Sequence, residues 1–165
     1  MVSKAAKNGY VKTQYNLALL YHNGEETEKN LYKALYWCQK AAENDFKNAQ
    51  YNLAISYLNG KGTKKNLEMA FYWCQKAAEN GVINAQYTLA KLYKKGEGTE
   101  MNLEKTFYWY QKAAENGYIK AQYYLAALYY EDNVEKAFYW YQKAAERGHI
   151  ILQHCIMLVK EQKKI

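Results

Sequence analysis

The sequence predicts an all-α fold, a right-handed solenoid (an α-α superhelix) of about four helical hairpins with partial units at both ends. Trp37, Trp73 and Trp109 lie 36 residues apart, and a self-similar period of this length is typical of repeat architectures. Each copy contains two stretches whose apolar residues recur every three or four positions, the spacing of one stripe on a helix. The 165 residues contain no proline, a residue that interrupts helices.

The predicted repeat units are residues 12–47, 48–83, 84–119 and 120–150, within a single domain of residues 1–165. The last unit lacks five residues between Tyr129 and Val134, so we expect a shortened linker between two intact helices. Residues 1–11 align with the end of a second helix and residues 151–165 with a first helix, and both are predicted as partial units. One hairpin cannot bury its own apolar face, so stability must come from stacking.

The second unit shows how each helix is predicted. Its first helix ends at the glycine-rich turn 60–63, because glycine accepts the left-handed conformation of a helix C-cap. Asn66 is the predicted N-cap of the second helix. The predicted buried stripes are Ala49, Leu53, Ala54 and Tyr57 on the first helix, and Ala70, Trp73, Cys74, Ala77 and Ala78 on the second.

The recurring pattern is Ala-Gln-Tyr-x-Leu-Ala, then Gly-x-Gly-Thr, then Tyr-Trp-x-Gln-Lys-Ala-Ala-Glu, over about residues 4–150. It resembles the Sel-one-like repeat family, relatives of the tetratricopeptide repeat. The resemblance implies an α-solenoid that acts as an adaptor in signalling and protein quality control, in some members fused to a kinase or another domain. The sequence departs from the pattern at Glu26, where the second turn glycine is expected, and at Asp45, where a C-cap glycine is expected.

No residue pattern indicates catalysis, a cofactor or a metal site, so we expect a protein that is not an enzyme. Ser3 and Ser56 are the only serines, which leaves no Ser/His/Asp constellation. The histidines share no metal-ligand spacing, and the Gly-x-Gly-Thr turns lack the Lys-Ser/Thr ending of a phosphate-binding loop. Cys38 and Cys74 occupy equivalent positions in adjacent units, too far apart for a disulfide, and are predicted to be buried free thiols.

The net charge of +7 is concentrated at the two ends of the chain. Residues 13–149 carry 17 basic and 15 acidic side chains, whereas tracking of phosphates needs a continuous basic face. We therefore expect no nucleic-acid partner. No apolar run approaches the roughly 20 residues of a membrane span, and the N-terminus has no signal-peptide core. A cytoplasmic protein without a membrane role is the resulting expectation.

The resemblance places the concave groove on the first helices, and the groove is the predicted binding site for a partner. A row of tyrosines offers rigid, amphipathic contact area. An alternative is that these rings only pack helix against helix. The predicted groove residues are Tyr15, Tyr51, Tyr87 and Tyr123, then Asn16, Asn52, Thr88 and Tyr124, then Leu19, Ile55, Lys91 and Ala127, and finally His22, Leu58, Lys94 and Tyr130.

These observations predict a scaffold or adaptor that binds a partner protein or peptide in the groove. One alternative is a regulatory repeat segment of a larger signalling protein, such as a kinase fusion, which would bind in cis. Another is an RNA reader of the pentatricopeptide type, which has a similar period but lacks the tryptophans and Gly-x-Gly-Thr turns seen here. Self-association through the incomplete N-terminal unit is a further expectation.

Overall fold

The computed structural model describes residues 9–24 and 28–146, and these form eight α-helices. Each helix packs against the next one along the chain. No strand occurs among the described residues, and the predicted all-α stack of helical hairpins is confirmed. The helices are α1 (Val11–Asn23), α2 (Leu31–Glu43), α3 (Lys47–Asn59), α4 (Leu67–Glu79), α5 (Ile83–Lys95), α6 (Leu103–Glu115), α7 (Ile119–Tyr129) and α8 (Val134–Ala145).

Some predictions fall outside the described residues. The partial unit at residues 151–165 lies wholly outside them, and only residues 9–11 of the N-terminal partial unit are described. Glu26, His149 and His154 also lie outside. Self-association through the N-terminal unit therefore stays a prediction.

An asparagine caps each second helix of a hairpin. The side-chain oxygens of Asn30, Asn66, Asn102 and Asn133 each accept a hydrogen bond from the backbone N–H three residues later, at 2.8–3.0 Å. Such a bond satisfies one of the four N–H groups that lack an intrahelical partner. The predicted N-cap at Asn66 is confirmed, and the same device begins the other three second helices.

The turn at Asp45 keeps the geometry of the other units, although aspartate replaces the glycine of the repeat pattern. Its φ is 59°, a left-handed conformation like that of Gly81 and Gly117 at the equivalent positions. Aspartate is one of the few residues other than glycine that adopt this conformation. The Asp45 carboxylate also accepts a hydrogen bond from Gln50 at 3.3 Å. The turn between α2 and α3 therefore keeps its shape without glycine.

The fourth unit keeps both helices, as the sequence predicts. Helix α7 has 11 residues where the other first helices have 13, and four residues separate it from α8. Asn133 still caps α8, with an oxygen-to-nitrogen distance of 2.9 Å to the backbone of Lys136. The missing residues thus come from the turn and the last part of α7.

The core is built mainly from alanines, which allow neighbouring helices to approach closely. One leucine of each first helix adds bulk, and Leu53, Leu89 and Leu125 are completely buried. On the second helices, the Ala-Ala pairs at 41–42, 77–78 and 113–114 are at most 1% exposed. Burial of this apolar surface is the main force that holds one hairpin against the next.

A buried glutamine recurs in every first helix and links neighbouring units. The Nε2 atoms of Gln50, Gln86 and Gln122 donate to backbone carbonyls of Ala42, Ala78 and Ala114, at 3.1–3.4 Å. These carbonyls lie near the ends of the preceding second helices, and each also accepts a backbone N–H of the following turn at 2.9–3.1 Å. Gln50 also accepts a hydrogen bond from Asn80, which follows the second helix of its own hairpin, at 2.9 Å. The sequence prediction missed this role, although the constant glutamine of Ala-Gln-Tyr is its signal.

Candidate functional site

Three tyrosines of the first predicted row contact the next unit, whereas Tyr123 packs on Tyr141 of its own unit, with ring centroids 5.7 Å apart. The Tyr15 hydroxyl accepts a hydrogen bond from Asn52 Nδ2 at 2.9 Å. The Tyr51 hydroxyl lies 3.4 Å from the hydroxyl of Thr88, and the rings of Tyr87 and Tyr124 have centroids 6.0 Å apart. The first and second predicted rows therefore meet across each unit boundary. These rings pack one unit against the next, as the alternative interpretation of the row requires, and remain half-buried.

The remaining predicted residues differ in exposure. Five of them are exposed to solvent and the others are half-buried. Asn16, His22, Lys91, Lys94 and Ala127 are exposed, whereas Leu19, Ile55, Leu58, Thr88, Tyr123, Tyr124 and Tyr130 are half-buried. The exposure of the predicted groove residues therefore varies along the stack.

A cavity of about 180 Å³ opens between α1, α2 and α3. The structure brings five predicted groove residues together around it, namely Tyr15, Leu19, His22, Asn52 and Ile55. Helix α2 adds a wall that the sequence prediction did not include, made of Ala34, Leu35 and Cys38, and Ala18, Ser56 and Lys61 complete the lining. Pockets for drug-sized ligands are larger, about 300–1,000 Å³. This cavity has the size of one large side chain.

The thiol of Cys38 forms part of the cavity wall and has low reactivity. Burial raises the pKa of Cys38 to about 12 from 9.0, and its Sγ–H donates to the carbonyl oxygen of Ala49 at 3.3 Å. Cys74 has the same environment in the next unit, with a donor distance of 3.4 Å to Ala85. Both are free and buried, which confirms the prediction. A thiol that stays protonated is a poor nucleophile.

The third unit has no such thiol, because Tyr110 stands at the position of Cys38. Its ring is 1% exposed and stacks on Tyr124, with centroids 5.5 Å apart and planes 10° apart. Tyr87 completes this tyrosine cluster at 5.8 Å from Tyr110. Burial first, and the neighbouring phenols second, raise the pKa of Tyr110 and raise that of Tyr87 to about 12. Tyr110 and Tyr124 thus occupy the repeat positions that Cys38 and Asn52 hold at the cavity.

A second row of tyrosines lies on the second helices and was missed by the sequence prediction. Tyr36, Tyr72, Tyr108 and Tyr139 are 47–54% exposed. Each meets the following tryptophan edge-on at 5.0–5.1 Å, and the lysine four residues later lies over its ring. The constant tyrosine of Tyr-Trp-x-Gln-Lys is the sequence signal for this row.

None of the described helices combines the length and the apolar character needed to cross a bilayer. Within residues 9–24 and 28–146, no three His, Cys, Asp or Glu side chains come together as metal ligands.

The fold and the groove define a helical-repeat solenoid. The sequence matches the Sel1 repeat in four consecutive copies, at residues 11–46, 47–82, 83–118 and 119–149. The chain therefore belongs to the Sel1 repeat family. Proteins of this family are generally protein–protein interaction modules built on a non-catalytic repeat scaffold. No curated protein sequence matches the chain significantly.

Solved structures support the same assignment. A Sel1 repeat protein from Oxalobacter formigenes is 32% identical with a TM-score of 0.80, covering 94% of this chain and 64% of that one. The protein c5321, a protective antigen present in uropathogenic Escherichia coli strains, is 30% identical with a TM-score of 0.89, covering 98% and 36%. The immunity protein Pa5087 from Pseudomonas aeruginosa is 31% identical with a TM-score of 0.52, covering 87% and 55%. The chain spans between about a third and two thirds of the lengths of these proteins.

Proposed function

We propose that the chain is a scaffold that binds a partner protein or peptide on its first helices. The binding surface, called here the first-helix groove, consists of the sixteen predicted groove residues together with the wall that α2 adds to the cavity. The cavity of about 180 Å³ between α1, α2 and α3 carries the proposal. We further propose that the protein acts as a single-domain adaptor in the cytoplasm.

The size and lining of the cavity support a macromolecular partner. Interfaces obtain much of their binding energy from a few side chains that fill pockets on the partner. Here Leu19, Leu35 and Ile55 provide an apolar wall, whereas Asn52 and His22 supply polar atoms at the same site. A partner side chain entering this space loses its water and gains contacts on several sides.

Photo-crosslinking tests the proposal directly. Benzoylphenylalanine is placed at position 55, inside the groove, or at position 72, on the exposed tyrosine row of the second helices. After irradiation in cells that express the chain, we expect a defined protein adduct from position 55 and not from position 72, identified by mass spectrometry. An excess of the Tyr72→Gln protein should compete the adduct away, whereas an excess of Ile55→Gln should not.

Two outcomes would contradict the proposal. Equal adducts from both positions would place binding elsewhere, and an adduct digested by ribonuclease would favour the RNA-reading alternative. The substitution at position 55 keeps the helix intact, because glutamine is a good helix former. Circular dichroism of both competitor proteins checks that neither result comes from unfolding.

A further inference from the structure

The charges of the helices are segregated between the two faces of the hairpin stack. The four first helices contain six lysines and no Asp or Glu: Lys12, Lys47, Lys91, Lys94, Lys95 and Lys120. The four second helices contain seven lysines and six glutamates. The near balance of charge along the sequence therefore hides an excess of positive charge on the first helices. Such a field attracts partners of the opposite sign.

Two of these lysines lie in the first-helix groove itself. Lys91 Nζ is 5.7 Å from the ring centroid of Tyr87, and Lys94 Nζ is 5.7 Å from that of Tyr124. Cation–π contact of this kind holds a lysine over an aromatic face while its ammonium stays accessible. Both side chains are exposed. In contrast, Lys95 on the same helix forms an ion pair with Glu97 at 3.6 Å.

The cavity supplies a second, apolar requirement for the ligand. Leu19, Leu35 and Ile55 form its aliphatic wall, and Lys61 adds a positive group to the lining. Tyr15 and His22 are the only rings in its lining, so the cavity offers no ladder of aromatic faces on which successive nucleotide bases could stack. Nucleic-acid binding also relies on many phosphate contacts, whereas the first helices contain no arginine. The combination fits a peptide better than RNA.

We propose that the first-helix groove binds an acidic peptide segment that carries one large apolar side chain. The apolar side chain enters the cavity between α1, α2 and α3, and carboxylates further along the segment meet Lys91 and Lys94. This inference rests on the proposed binding of a protein or peptide. It adds the chemical class of the partner, through complementarity of charge and of shape.

Fluorescence anisotropy with synthetic peptides tests the inference on the full chain. The probe is a fluorescein-labelled peptide of alternating glutamate and glycine with one central leucine. Matched peptides carry lysine in place of glutamate, glutamine in place of glutamate, or glycine in place of leucine. We expect the acidic leucine peptide to bind most tightly and to weaken as salt is added, because salt screens exposed charges.

Two double variants with the same charge change separate the two faces. Lys91→Gln/Lys94→Gln removes the groove lysines. Lys76→Gln/Lys112→Gln removes two second-helix lysines that lie over Tyr72 and Tyr108 at 5.3 and 5.7 Å. We expect about tenfold weaker binding for the groove variant, since it loses two exposed charge pairs with the peptide. The control variant should bind like the wild type.

The outcomes distinguish this inference from the proposed function. If the glutamine and glutamate peptides bind equally in the groove, the acidic preference is wrong and peptide binding stands. If no leucine peptide binds and position 55 gives no adduct, both proposals fail. Equal loss in the two double variants would also refute the assignment of charge to the groove, and tighter binding of single-stranded RNA of equal charge would replace the peptide by a nucleic acid.

Discussion

The first and third hairpins have the same two helices and the same caps. They differ in what fills the space between each of them and the hairpin that follows. In the first hairpin, Cys38 and Asn52 leave a cavity of about 180 Å³. In the third, Tyr110 and Tyr124 occupy the equivalent positions as two stacked rings. The difference teaches that the volume of two side chains, one from each of two adjacent units, separates an open space at the first boundary from a filled one at the third. The backbone of the repeat stays the same in both cases.

This comparison also explains why the residue rows predicted from the sequence are not equivalent along the stack. Tyr15 uses its hydroxyl in a hydrogen bond to Asn52, whereas Tyr87 contributes its ring to the tyrosine cluster. The same tyrosine row therefore borders an open cavity at one end and belongs to a filled cluster at the other. The following predictions test this contrast, from the largest expected effect to the smallest.

High pH should destabilise the protein, because buried thiols and phenols must ionise. Burial raises the pKa of Cys38 and Cys74 to about 12 from 9.0, and that of Tyr87 to about 12 from 10.0. The folded state thus holds these protons more tightly than the unfolded state. Below pH 9 the free energy of unfolding gains the full contribution of these groups, and it should fall as the pH rises from 9 towards 12. Urea unfolding across this range measures the fall.

The thiols of the first two units should account for the onset of that fall. In a Cys38→Ala/Cys74→Ala variant only the tyrosines remain, so the decrease should begin near pH 10, where phenols of the unfolded chain ionise. If the wild type and the variant lose stability from the same pH, the buried thiols do not contribute to the fall.

Exchanging the residues that distinguish the hairpins should have unequal costs. Tyr110→Cys removes a ring that is 1% exposed, and we expect a loss of about 3 kcal/mol, as for other large-to-small changes in a core. Cys38→Tyr places a ring where a cavity already exists, and we expect a cost of about 1 kcal/mol. Urea denaturation measures both. Equal costs would show that the cavity cannot accept a ring, and the Cys38→Tyr protein should also bind the acidic leucine peptide more weakly.

The smallest effect is expected from the hydroxyl groups that join neighbouring units. Tyr15→Phe removes the acceptor of the 2.9 Å hydrogen bond from Asn52, and we expect a loss of about 1 kcal/mol. Tyr51→Phe removes a contact of 3.4 Å to Thr88, so about half of that loss is expected, since longer bonds are weaker. Thermal unfolding compares the two variants. A larger cost for Tyr51→Phe would mean that the first unit boundary is not the better bonded of the two.

Much of the fold was predictable because its signals are local. The asparagine before each second helix, the glycine after most first helices and the alanine stripes act within a few residues of their own position. Asp45 was harder, because a residue other than glycine in the left-handed conformation departs from the usual preference. The structure shows that it adopts the geometry of the glycines in the other units.

The candidate site was only partly predictable. The four rows of first-helix residues follow from the family resemblance, yet the wall contributed by Leu35 and Cys38 comes from a second helix. The buried glutamines and the exposed tyrosine row recur in every copy of the sequence. Recurrence alone does not distinguish a buried link such as Gln50 from an exposed ring such as Tyr72, because both are equally constant.

The sequence by itself determined the helices, their caps and the number of stacked hairpins, because these depend on apolar spacing and capping within each unit. Only the tertiary structure decided that Cys38 and Asn52 border an open space while Tyr110 and Tyr124 fill theirs, and that the first helices gather positive charge on one face. The physical reason is distance along the chain. Residues such as Tyr15 and Asn52 meet across a unit boundary, 37 positions apart, and what lies between them depends on the volumes of side chains that only stacking brings together.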